Sequence, residues 1–470
     1  MLIHYSRTLV ALFFVFSVSS TAASRSTSTT ATTATPFPNG PFTTNASTIL
    51  GADGSPFVYA GVNWPGAEVV MIPEGLQYQS IATIVSKIQS LGMNTIRLTY
   101  ATEMIDQVYS NGLKDIPIKT AFVKALGVDE GMRVFQQVVA RNPEFNEDTT
   151  RLQVYDAIAA ECAKHQIYIH LDNHVSKASW CCDPFDGSTW WDDVFFCPAK
   201  WTRGLSFMAA FGMQWPNLIS MSLYNELRPP FSSTKPDLMR TYNWDVWYEQ
   251  IQAGSKAIHD LNPDVLIFLS GLNGDTDLEP VVDGSPLIPS NTTFQRADFA
   301  GYDNKLVLEL HSYDILLPVT DCLRYQEEIM QAGYSTASDS REVANRFPMV
   351  MTEWGFKQDN TTWLENTYAI CVQEFLGSRI GSGWMIWVLS GSYYSRKGNH
   401  DADESWGLLD HEWSAWRSPD YIEGGLKPLV KQTLGSTGYH TRLRIEEASK
   451  EVYMHFQGSS QQYKERLSPQ

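Results

Sequence analysis

The sequence predicts an α/β fold, a (β/α)8 TIM barrel with elaborated βα loops. Short apolar runs alternate with helical patterns from about residue 57 to about residue 434, and a chain of 470 residues is long enough for such a barrel with insertions. Because strands that alternate with helices pair in parallel, eight such units can close into a barrel. The predicted strands are residues 57–62, 94–98, 167–171, 218–223, 265–269, 306–310, 349–352 and 384–388.

The helices of the predicted barrel are identified by their apolar periodicity. Ile81, Ile84, Val85 and Ile88 recur on one helical face, and Gly92 ends the pattern. Further helices are predicted at residues 152–164, 244–261 and 362–375. A long insertion, residues 112–146, follows the second strand and could close one end of a groove at the rim of the barrel.

Both ends of the chain are predicted to lie outside the barrel. Residues 1–23 contain Arg7, an apolar run too short to span a bilayer and a group of small residues, which is the pattern of a secretory signal peptide. We predict a Ser/Thr-rich linker at residues 24–45, the barrel at 46–435 and a short C-terminal extension at 436–470. We therefore expect a secreted, extracellular protein with no membrane attachment once the signal peptide is removed.

Export would permit glycosylation and disulfide formation. Glycosylation sequons begin at Asn45, Asn291 and Asn360. For the six cysteines we expect one disulfide within the loop that holds Cys181, Cys182 and Cys197, a second between Cys322 and Cys371, and a buried thiol at Cys162. No Cys/His spacing matches a zinc site, so we expect no metal.

Composition narrows the classes of partner. A formal net charge of -17 argues against nucleic acid and against anionic membrane surfaces, which both attract Lys and Arg. The chain contains 15 Trp, 21 Tyr and 22 Phe, several of them in polar loops, where aromatic faces can stack on sugar rings. A carbohydrate substrate and a monomeric protein are the expectation.

Polar and aromatic residues gather at the C-terminal ends of the predicted strands. In parallel barrels these ends meet at one rim, where such folds place their chemistry. A single His or Arg at a strand end is more often structural, but stability does not require so many ionisable groups at one rim. The residues concerned are Arg97, His174, Asn225, Glu226, His311, Tyr313, Glu353 and Trp387.

These eight positions resemble glycoside hydrolase family 5 over roughly residues 50–435. The family pattern has Arg after strand two, His after strand three, Asn-Glu after strand four, His-x-Tyr after strand six, Glu after strand seven and Trp on strand eight, and this chain fills each position in order. Segments 174–182 and 223–228 are similar to a cellulase-like, plant- and fungus-type branch. The resemblance implies a retaining O-glycosyl hydrolase that acts on a β-linked glucan or mannan.

Two carboxylates facing each other across a groove are the groups that break a glycosidic bond. We expect Glu226 to be the acid/base, with its pKa raised by the nearby Glu353 charge. Glu353 would be the nucleophile, held ionised by Arg97 and Tyr313. Asn225 would bond the sugar 2-hydroxyl, His174 and His311 would position sugar or acid, and Trp387 and Trp64 would line subsites. No cofactor is needed.

Several alternatives remain open. The insertion at 112–146 also fits an exo-acting or transglycosylating β-glycosidase on small glycosides, and the same barrel could be a catalytically silent carbohydrate-binding protein, although both glutamates are present. Trp180, Trp190, Trp191 and Trp201 could form a groove wall or a local core. For the acidic segment 400–404, a solvated loop is favoured over a cation site.

Overall fold

The computed structural model describes residues 37–435 except 232–234, 315–318, 339–340, 360–361 and 379. The predicted signal peptide, most of the predicted linker, the C-terminal extension and the sequon at Asn360 lie outside the described residues. Among the described residues, no helix has the length and apolar character needed to cross a membrane.

Eight parallel strands form a closed barrel, as predicted; each pairs with the barrel strands that precede and follow it in the chain, and the last pairs with the first. Their ends differ from the predicted ends by up to four residues, mainly because the backbone ladder continues into the polar residues of the rim. In chain order the strands are β1 (Thr43–Asn45), β2 (Thr48–Leu50), β3 (Pro56–Phe57), β4 (Tyr59–Trp64), β5 (Thr95–Ala101), β6 (Tyr168–Val175), β7 (Leu218–Ser222), β8 (Leu266–Leu269), β9 (Leu306–Ser312), β10 (Met349–Trp354), β11 (Gly383–Ile386), β12 (Ser392–Arg396) and β13 (Asn399–Asp403).

Helices lie between the barrel strands and cover the barrel. In α1, Ser80 accepts a hydrogen bond from the Thr83 backbone N–H at the N-terminus, and the predicted apolar face is buried. The helical segments are α1 (Ile81–Ser90), α2 (Thr102–Ser110), α3 (Ile118–Leu126), α4 (Val128–Arg141), α5 (Arg151–Lys164), α6 (Pro198–Phe211), α7 (Trp244–His259), α8 (Leu272–Asp275), α9 (Glu279–Asp283), α10 (Cys322–Ala332), α11 (Thr367–Gly377), α12 (Pro419–Tyr421) and α13 (Lys427–Leu434).

The N-terminal end of the barrel is closed by a small antiparallel sheet of β1, β2 and β3. Phe42 is buried there against the rings of Phe57 and Tyr168, at centroid distances of 4.6 and 5.6 Å. Lys305 donates a hydrogen bond to the Phe42 carbonyl oxygen. The linker prediction is therefore wrong for residues 37–45, which pack against the barrel because Phe42 supplies an apolar side chain that the Ser/Thr-rich stretch before it lacks.

The insertion at 112–146 contains the helical pair α3 and α4. The two helices approach closely at Gly131, where an added Cβ would lie 2.6 Å from backbone atoms of Phe122. The Phe122 ring contacts Tyr394 in β12 at 4.9 Å, and Asn142 donates a hydrogen bond to the Leu76 carbonyl oxygen. The insertion therefore packs against the segments that follow β4 and β11, on the rim side of the barrel.

The tryptophans after the third barrel strand divide into two groups. Trp190, Trp191 and Trp201 are buried against one another, with centroid distances of 4.5 and 5.5 Å, so they form the local core. Trp180 is half-buried and lies instead against Arg396, 3.7 Å from the guanidinium to the ring centroid.

The acidic segment 400–404 lies mostly at the surface, but it is not a loop, because most of it belongs to strand β13 of a hairpin with β12. Glu404 is buried and forms an ion pair with Arg396 at 2.9 Å. Asp403 pairs with Arg417 at 2.8 Å. Basic side chains therefore balance these acidic groups.

The disulfides agree with the prediction in part. Cys322 and Cys371 are joined, as expected, and link α10 to α11, and Cys162 is a buried thiol. The disulfide within the 181–197 loop connects the neighbours Cys181 and Cys182, so it does not cross-link the loop, and Cys197 is an exposed thiol.

Candidate active site

Six barrel strands bring the predicted site residues to the C-terminal rim. Arg97, His174, His311 and Glu353 lie within β5, β6, β9 and β10, respectively. The other predicted rim residues lie a few positions beyond strand ends: Asn225 and Glu226 after β7, Tyr313 after β9 and Trp387 after β11. The fold therefore gathers the eight rim residues at one end of the barrel.

The two glutamates share one pocket. One carboxylate oxygen of Glu226, one of Glu353 and a ring nitrogen of His311 all lie within 4.8 Å of one another. The Glu226 side chain keeps 19% of its surface exposed, whereas that of Glu353 keeps 5%. Both carboxylates could therefore reach a substrate bond that lies between them.

Arg97 is fully buried and organises one side of this pocket. Its Nη1 donates hydrogen bonds to Asn63 Oδ1 at 2.9 Å and to Glu353 Oε1. Its Nη2 donates to Asn225 Oδ1 at 2.8 Å and lies 3.0 Å from Asp172. Burial opposes the charge, but the Asp172 and Glu353 carboxylates raise the pKa of Arg97 above its usual value. Burial also raises the pKa of Asp172, but the Arg97 charge and the hydrogen bond to His174 outweigh burial, so the pKa of Asp172 is lowered.

Asp172 also orients His174. The His174 Nδ1 lies 2.6 Å from Asp172 Oδ2, which leaves Nε2 as the ring nitrogen available to a ligand. The imidazole is stacked on Trp387, with centroids 5.4 Å apart and ring planes inclined by 2°. Packing and a hydrogen bond thus hold both predicted sugar-contacting rings in fixed positions.

His311 lies between the two glutamates. Its Nδ1 is 3.0 Å from Glu226 Oε1 and 3.6 Å from Glu353 Oε2. Burial alone would lower the pKa of His311, but the Glu353 charge and the hydrogen bond to Glu226 raise it to about 9. Tyr313 donates a hydrogen bond to Glu353 Oε2 at 2.8 Å.

The expected rise in the pKa of Glu226 is not found. Burial favours its protonated form, but the hydrogen bond and the positive charge of His311 outweigh burial, and the pKa of Glu226 is lowered. The raised pKa of His311 and the lowered pKa of Glu226 both favour a proton on His311, from which the ring can donate to the Glu226 carboxylate.

Trp64 does not line the groove, contrary to the prediction. Its side chain has no exposed surface, its indole Nε1 donates to the Glu74 carbonyl oxygen at 3.0 Å, and its ring packs near Trp413 at 6.4 Å. Trp64 ends β4 at the rim, but its ring turns into the core.

Asp275 is a site residue that the sequence analysis missed. Its Oδ2 accepts a hydrogen bond from the Glu226 backbone N–H at 2.9 Å and lies 3.7 Å from His311 Nε2. Burial raises the pKa of Asp275 well above its usual value. The residue sits in a left-handed turn, with φ of 57° at Asn273, 71° at Gly274 and 58° at Asp275. The only local signal was Asn-Gly-Asp after the fifth apolar run.

Two further aromatic side chains, Trp406 and Trp180, lie beside the rim. Trp406 is half-buried, with its centroid 5.7 Å from that of Tyr313. Trp180 contacts Tyr393 at 4.9 Å as well as Arg396. Tyr393 itself is fully buried, so it packs rather than lining a subsite.

Two groups of side chains within the described residues have metal-ligand spacing. They are Glu226–His311–Glu353 and Cys181–Cys182–Glu226. In the first group, His311 Nδ1 is engaged with Glu226 and Glu353 Oε2 accepts from a tyrosine, and in the second the two sulfurs are bonded to each other. That the protein needs no metal or cofactor stays a prediction.

The barrel carries two facing carboxylates at its C-terminal rim, an arrangement that glycosidases use. The family model described as Cellulase (glycosyl hydrolase family 5) matches residues 50–392, and the chain belongs to this family. A glycosyl hydrolase 5 family protein from Chamaecyparis obtusa is 32% identical over 377 residues, which cover 77% of this chain and 61% of that protein. The chain thus spans less than two thirds of that relative's length.

Solved structures with the same fold are more distant in sequence. An endocellulase from Pyrococcus horikoshii has 18% identity and a TM-score of 0.59, with 84% of this chain and 100% of that chain covered. The catalytic domain of the major endoglucanase from Xanthomonas campestris pv. campestris has 18% identity and a TM-score of 0.56, with the same coverage. These likenesses support the fold.

Proposed function

We propose that the protein is a retaining glycoside hydrolase that cleaves β-glycosidic bonds in a glucan-type saccharide, with Glu353 as nucleophile and Glu226 as acid/base. The observation that carries the proposal is the approach of their carboxylate oxygens to within 4.8 Å. Retaining enzymes hold their carboxyl groups about 5–5.5 Å apart, whereas inverting enzymes leave about 6.5–9.5 Å for a water molecule.

The glucan-type substrate is supported by the description of the family and by the solved structures of similar fold, which are an endocellulase and an endoglucanase. The rim aromatics Trp387 and Trp406 offer faces on which a pyranose could stack. A substrate panel that contains both glucans and mannans tests this choice.

The contacts of Glu353 support its proposed role as the nucleophile. Arg97 and Tyr313 donate to its two oxygens, and His311 lies beside the second oxygen. In the first step a Glu353 oxygen bonds to the anomeric carbon while the bond to the glycosidic oxygen breaks, and the leaving oxygen takes a proton from Glu226. In the second step Glu226 removes a proton from water, and the water oxygen displaces Glu353.

The proton for the leaving group is supplied by the His311–Glu226 pair. We assign this proton to His311 in the free enzyme because the pKa of His311 is raised and that of Glu226 is lowered, and the 3.0 Å contact is the path by which it reaches Glu226. Substrate that displaces water from the partly exposed Glu226 carboxylate disfavours the charged form, because desolvation raises a carboxyl pKa. Binding therefore favours the neutral pair, in which Glu226 is a proton donor.

Asn225 and His174 are the proposed hydrogen-bonding contacts to the sugar. The Asn225 Oδ1 accepts from Arg97, so its Nδ2 remains the donor for a sugar 2-hydroxyl. Such a bond strengthens as the transition state forms. The free Nε2 of His174 and the face of Trp387 complete the proposed glycone contacts.

The first experiment identifies the reaction. Products from β-glucans, β-mannans and short oligosaccharides are analysed for the wild type and for Glu353→Ala, with the surface variant Glu423→Ala as control. We expect glucan cleavage with retention of the anomeric configuration, seen by proton NMR, and loss of activity in Glu353→Ala alone. Inversion, or wild-type turnover by Glu353→Ala, would contradict the mechanism.

The second experiment separates the roles of the glutamates. Glu226→Ala should still form the glycosyl-enzyme from a dinitrophenyl glycoside, whose leaving group needs no proton, and azide should restore turnover with a β-configured product. In Glu353→Ala, azide replaces the nucleophile and should give an α-configured product. The opposite pattern would mean that the two roles are exchanged.

An exo-acting or transglycosylating enzyme is the second candidate. The observation that favours it is the helical pair α3–α4, whose Phe122 contacts Tyr394 and whose following residue Asn142 binds the loop after β4. This wall could close the groove on one side. Internal cuts in long chains would indicate an endo-enzyme, and release of single sugars or small units from one end would indicate an exo-enzyme.

We also propose that the protein is exported, monomeric and glycosylated. Asn45 and Asn291 are exposed and accessible to a glycan. A mass decrease on enzymatic deglycosylation of protein recovered from the culture medium tests export and glycosylation together, and light scattering tests the monomer.

A further inference from the structure

The Cys181–Cys182 disulfide lies beside the proposed acid/base. Both sulfur atoms and one carboxylate oxygen of Glu226 lie within 4.8 Å of one another. Cys181 is 8% exposed and Cys182 is half-buried, so the disulfide reaches the surface of the site. A bond between neighbouring residues closes no chain loop, and a structural cross-link therefore does not account for its presence here.

Asn225 also faces the disulfide. Its Oδ1 accepts from Arg97, so its amide is turned with Nδ2 towards the sulfurs, 3.5 Å from Cys181 Sγ and 3.7 Å from Cys182 Sγ. Sulfur is a weak acceptor, so these contacts can be replaced by a stronger acceptor such as a sugar hydroxyl. The disulfide thus lies next to the position at which a sugar hydroxyl would accept from the Asn225 amide.

The loop that carries the disulfide shares an anchor with Glu226. Arg228 donates to the Glu226 carbonyl oxygen at 2.9 Å and pairs with Asp186, and Asp186 accepts from the Asp183 backbone N–H at 3.2 Å. On the other side of the disulfide, Trp180 lies on Arg396. These contacts therefore fix the position of the two sulfur atoms relative to Glu226.

The segment that carries the disulfide and the segment that carries Glu226 also carry exposed aromatic side chains. Phe185 is 75% exposed and Phe231 is 51% exposed, and their ring centroids are 5.9 Å apart. An exposed aromatic pair is suited to the apolar faces of further sugar rings.

We propose that the Cys181–Cys182 disulfide is part of the wall on which the leaving-group sugar packs. This inference rests on the proposed function, because Glu226 protonates the oxygen of that sugar and the sulfurs lie next to Glu226. The disulfide offers a polarisable surface without a hydrogen-bond donor, which suits the C–H face of a pyranose. It selects a sugar as the leaving group and holds it against the acid.

The first test establishes the bond in the isolated protein. Non-reduced protein is denatured, treated with iodoacetamide and digested. We expect the peptide with Cys181 and Cys182 to be unlabelled and to lack the mass of two hydrogen atoms, and Cys162 and Cys197 to be labelled. Labelled thiols at Cys181 and Cys182 would overturn the proposal.

The second test measures the contact with the leaving group. Cys181→Ser/Cys182→Ser is compared with wild type on a cello-oligosaccharide and on β-cellobiosyl fluoride, whose fluoride leaving group places no sugar beyond the scissile bond. We expect kcat/KM to fall about tenfold more on the oligosaccharide than on the fluoride, the scale of a lost apolar contact. The matched control is Cys322→Ser/Cys371→Ser, which removes the remote disulfide and should change the two substrates equally.

The pH profile decides between a sugar contact and an effect on Glu226. An oligosaccharide-selective loss with an unchanged pH profile of kcat/KM supports the contact. The same loss with a shifted profile, an equal loss on both substrates, or no loss would overturn it. If the double variant does not fold, as judged from its melting curve, wild type reduced by a phosphine must show the same selective loss. The phosphine becomes its oxide with oxygen from water, and the two sulfurs become thiols.

Failure of the proposed function has a different signature. In that case wild type would hydrolyse neither the oligosaccharide nor the fluoride, or Glu353→Ala would retain activity on both. A wild type that hydrolyses both and a Glu353→Ala variant that hydrolyses neither leave the disulfide as the only point under test.

Discussion

Replacing Glu353 with Gln should lower the pKa of His311 by about two units. The Glu353 charge is the largest cause that raises this pKa, with Glu353 Oε2 3.6 Å from His311 Nδ1. Gln keeps the shape of the side chain and removes the charge. The remaining causes are burial, which lowers the pKa, and the contacts with Glu226 and Asp275, which raise it.

The size of the effect follows from the distance and the net shift. His311 has its pKa raised from 6.5 to about 9, and a difference of that size corresponds to about 3 kcal/mol. Two unit charges 3.6 Å apart interact by about 5 kcal/mol at an effective dielectric constant of about 20. A fall of about two in the pKa of His311 corresponds to about 2.7 kcal/mol, which is smaller than this interaction energy. Such a fall would return the pKa of His311 to near its ordinary value.

The assay is a pH titration of ¹⁵N-histidine-labelled protein followed by NMR. The chain has 10 His, and the signals of His311 are assigned by their absence in His311→Gln. Glu404→Gln is the matched control, because it removes another buried carboxylate that is paired with Arg396. The pKa of His311 should not change in this control.

Two results would refute the reasoning. A wild-type pKa near 6.5 for His311 would mean that the carboxylates do not enclose it. A high wild-type pKa that is unchanged in Glu353→Gln would mean that Glu353 is not its main partner, and the placement of the nucleophile would be wrong.

Three further predictions concern pH and stability. The raised pKa of His311 contributes folding stability that is complete below about pH 6.5 and is lost as the pH rises through about 9. The free energy of unfolding in urea should therefore fall more between about pH 6 and about pH 10 in wild type than in His311→Gln. The value of kcat/KM should fall over the upper part of the same range. Arg97→Met should lower the free energy of unfolding by about 3–5 kcal/mol, because it leaves buried carboxylates unpaired, whereas exposed Arg133→Met should cost less than about 1 kcal/mol; equal costs would contradict the buried network. Phe42→Ala should cost about 3 kcal/mol in the same assay, and a negligible cost would mean that residues 37–45 are a linker after all.

Local patterns in the sequence were sufficient to predict the barrel and its rim. Apolar runs of strand length separated by helical periodicity specify βα units, and the carboxyl ends of parallel strands must meet at one edge. Arg97, His174, His311 and Glu353 were therefore placed at the rim without knowledge of any contact, and the structure brings them together there.

Contacts between distant parts of the chain decided what local patterns could not. Trp64 is the last residue of its strand, at the rim, yet its ring packs near Trp413 and is turned inward. Asp275 reaches Glu226 only because a left-handed turn directs it there. Neither outcome has a periodic signature, because each depends on which side chain fills the neighbouring space.

The electrostatics of Glu226, the proposed acid/base, show the same division. The sequence by itself determined that Glu226 and Glu353 stand at the ends of two strands of one barrel, and that a like charge would lie near Glu226. Only the tertiary structure placed His311, 85 residues away in the chain, between them, so that the pKa of Glu226 falls instead of rising. The reason is physical: the position of a residue at a strand end follows from backbone periodicity, whereas the pKa of a buried group depends on distances of a few ångströms to charges on other strands.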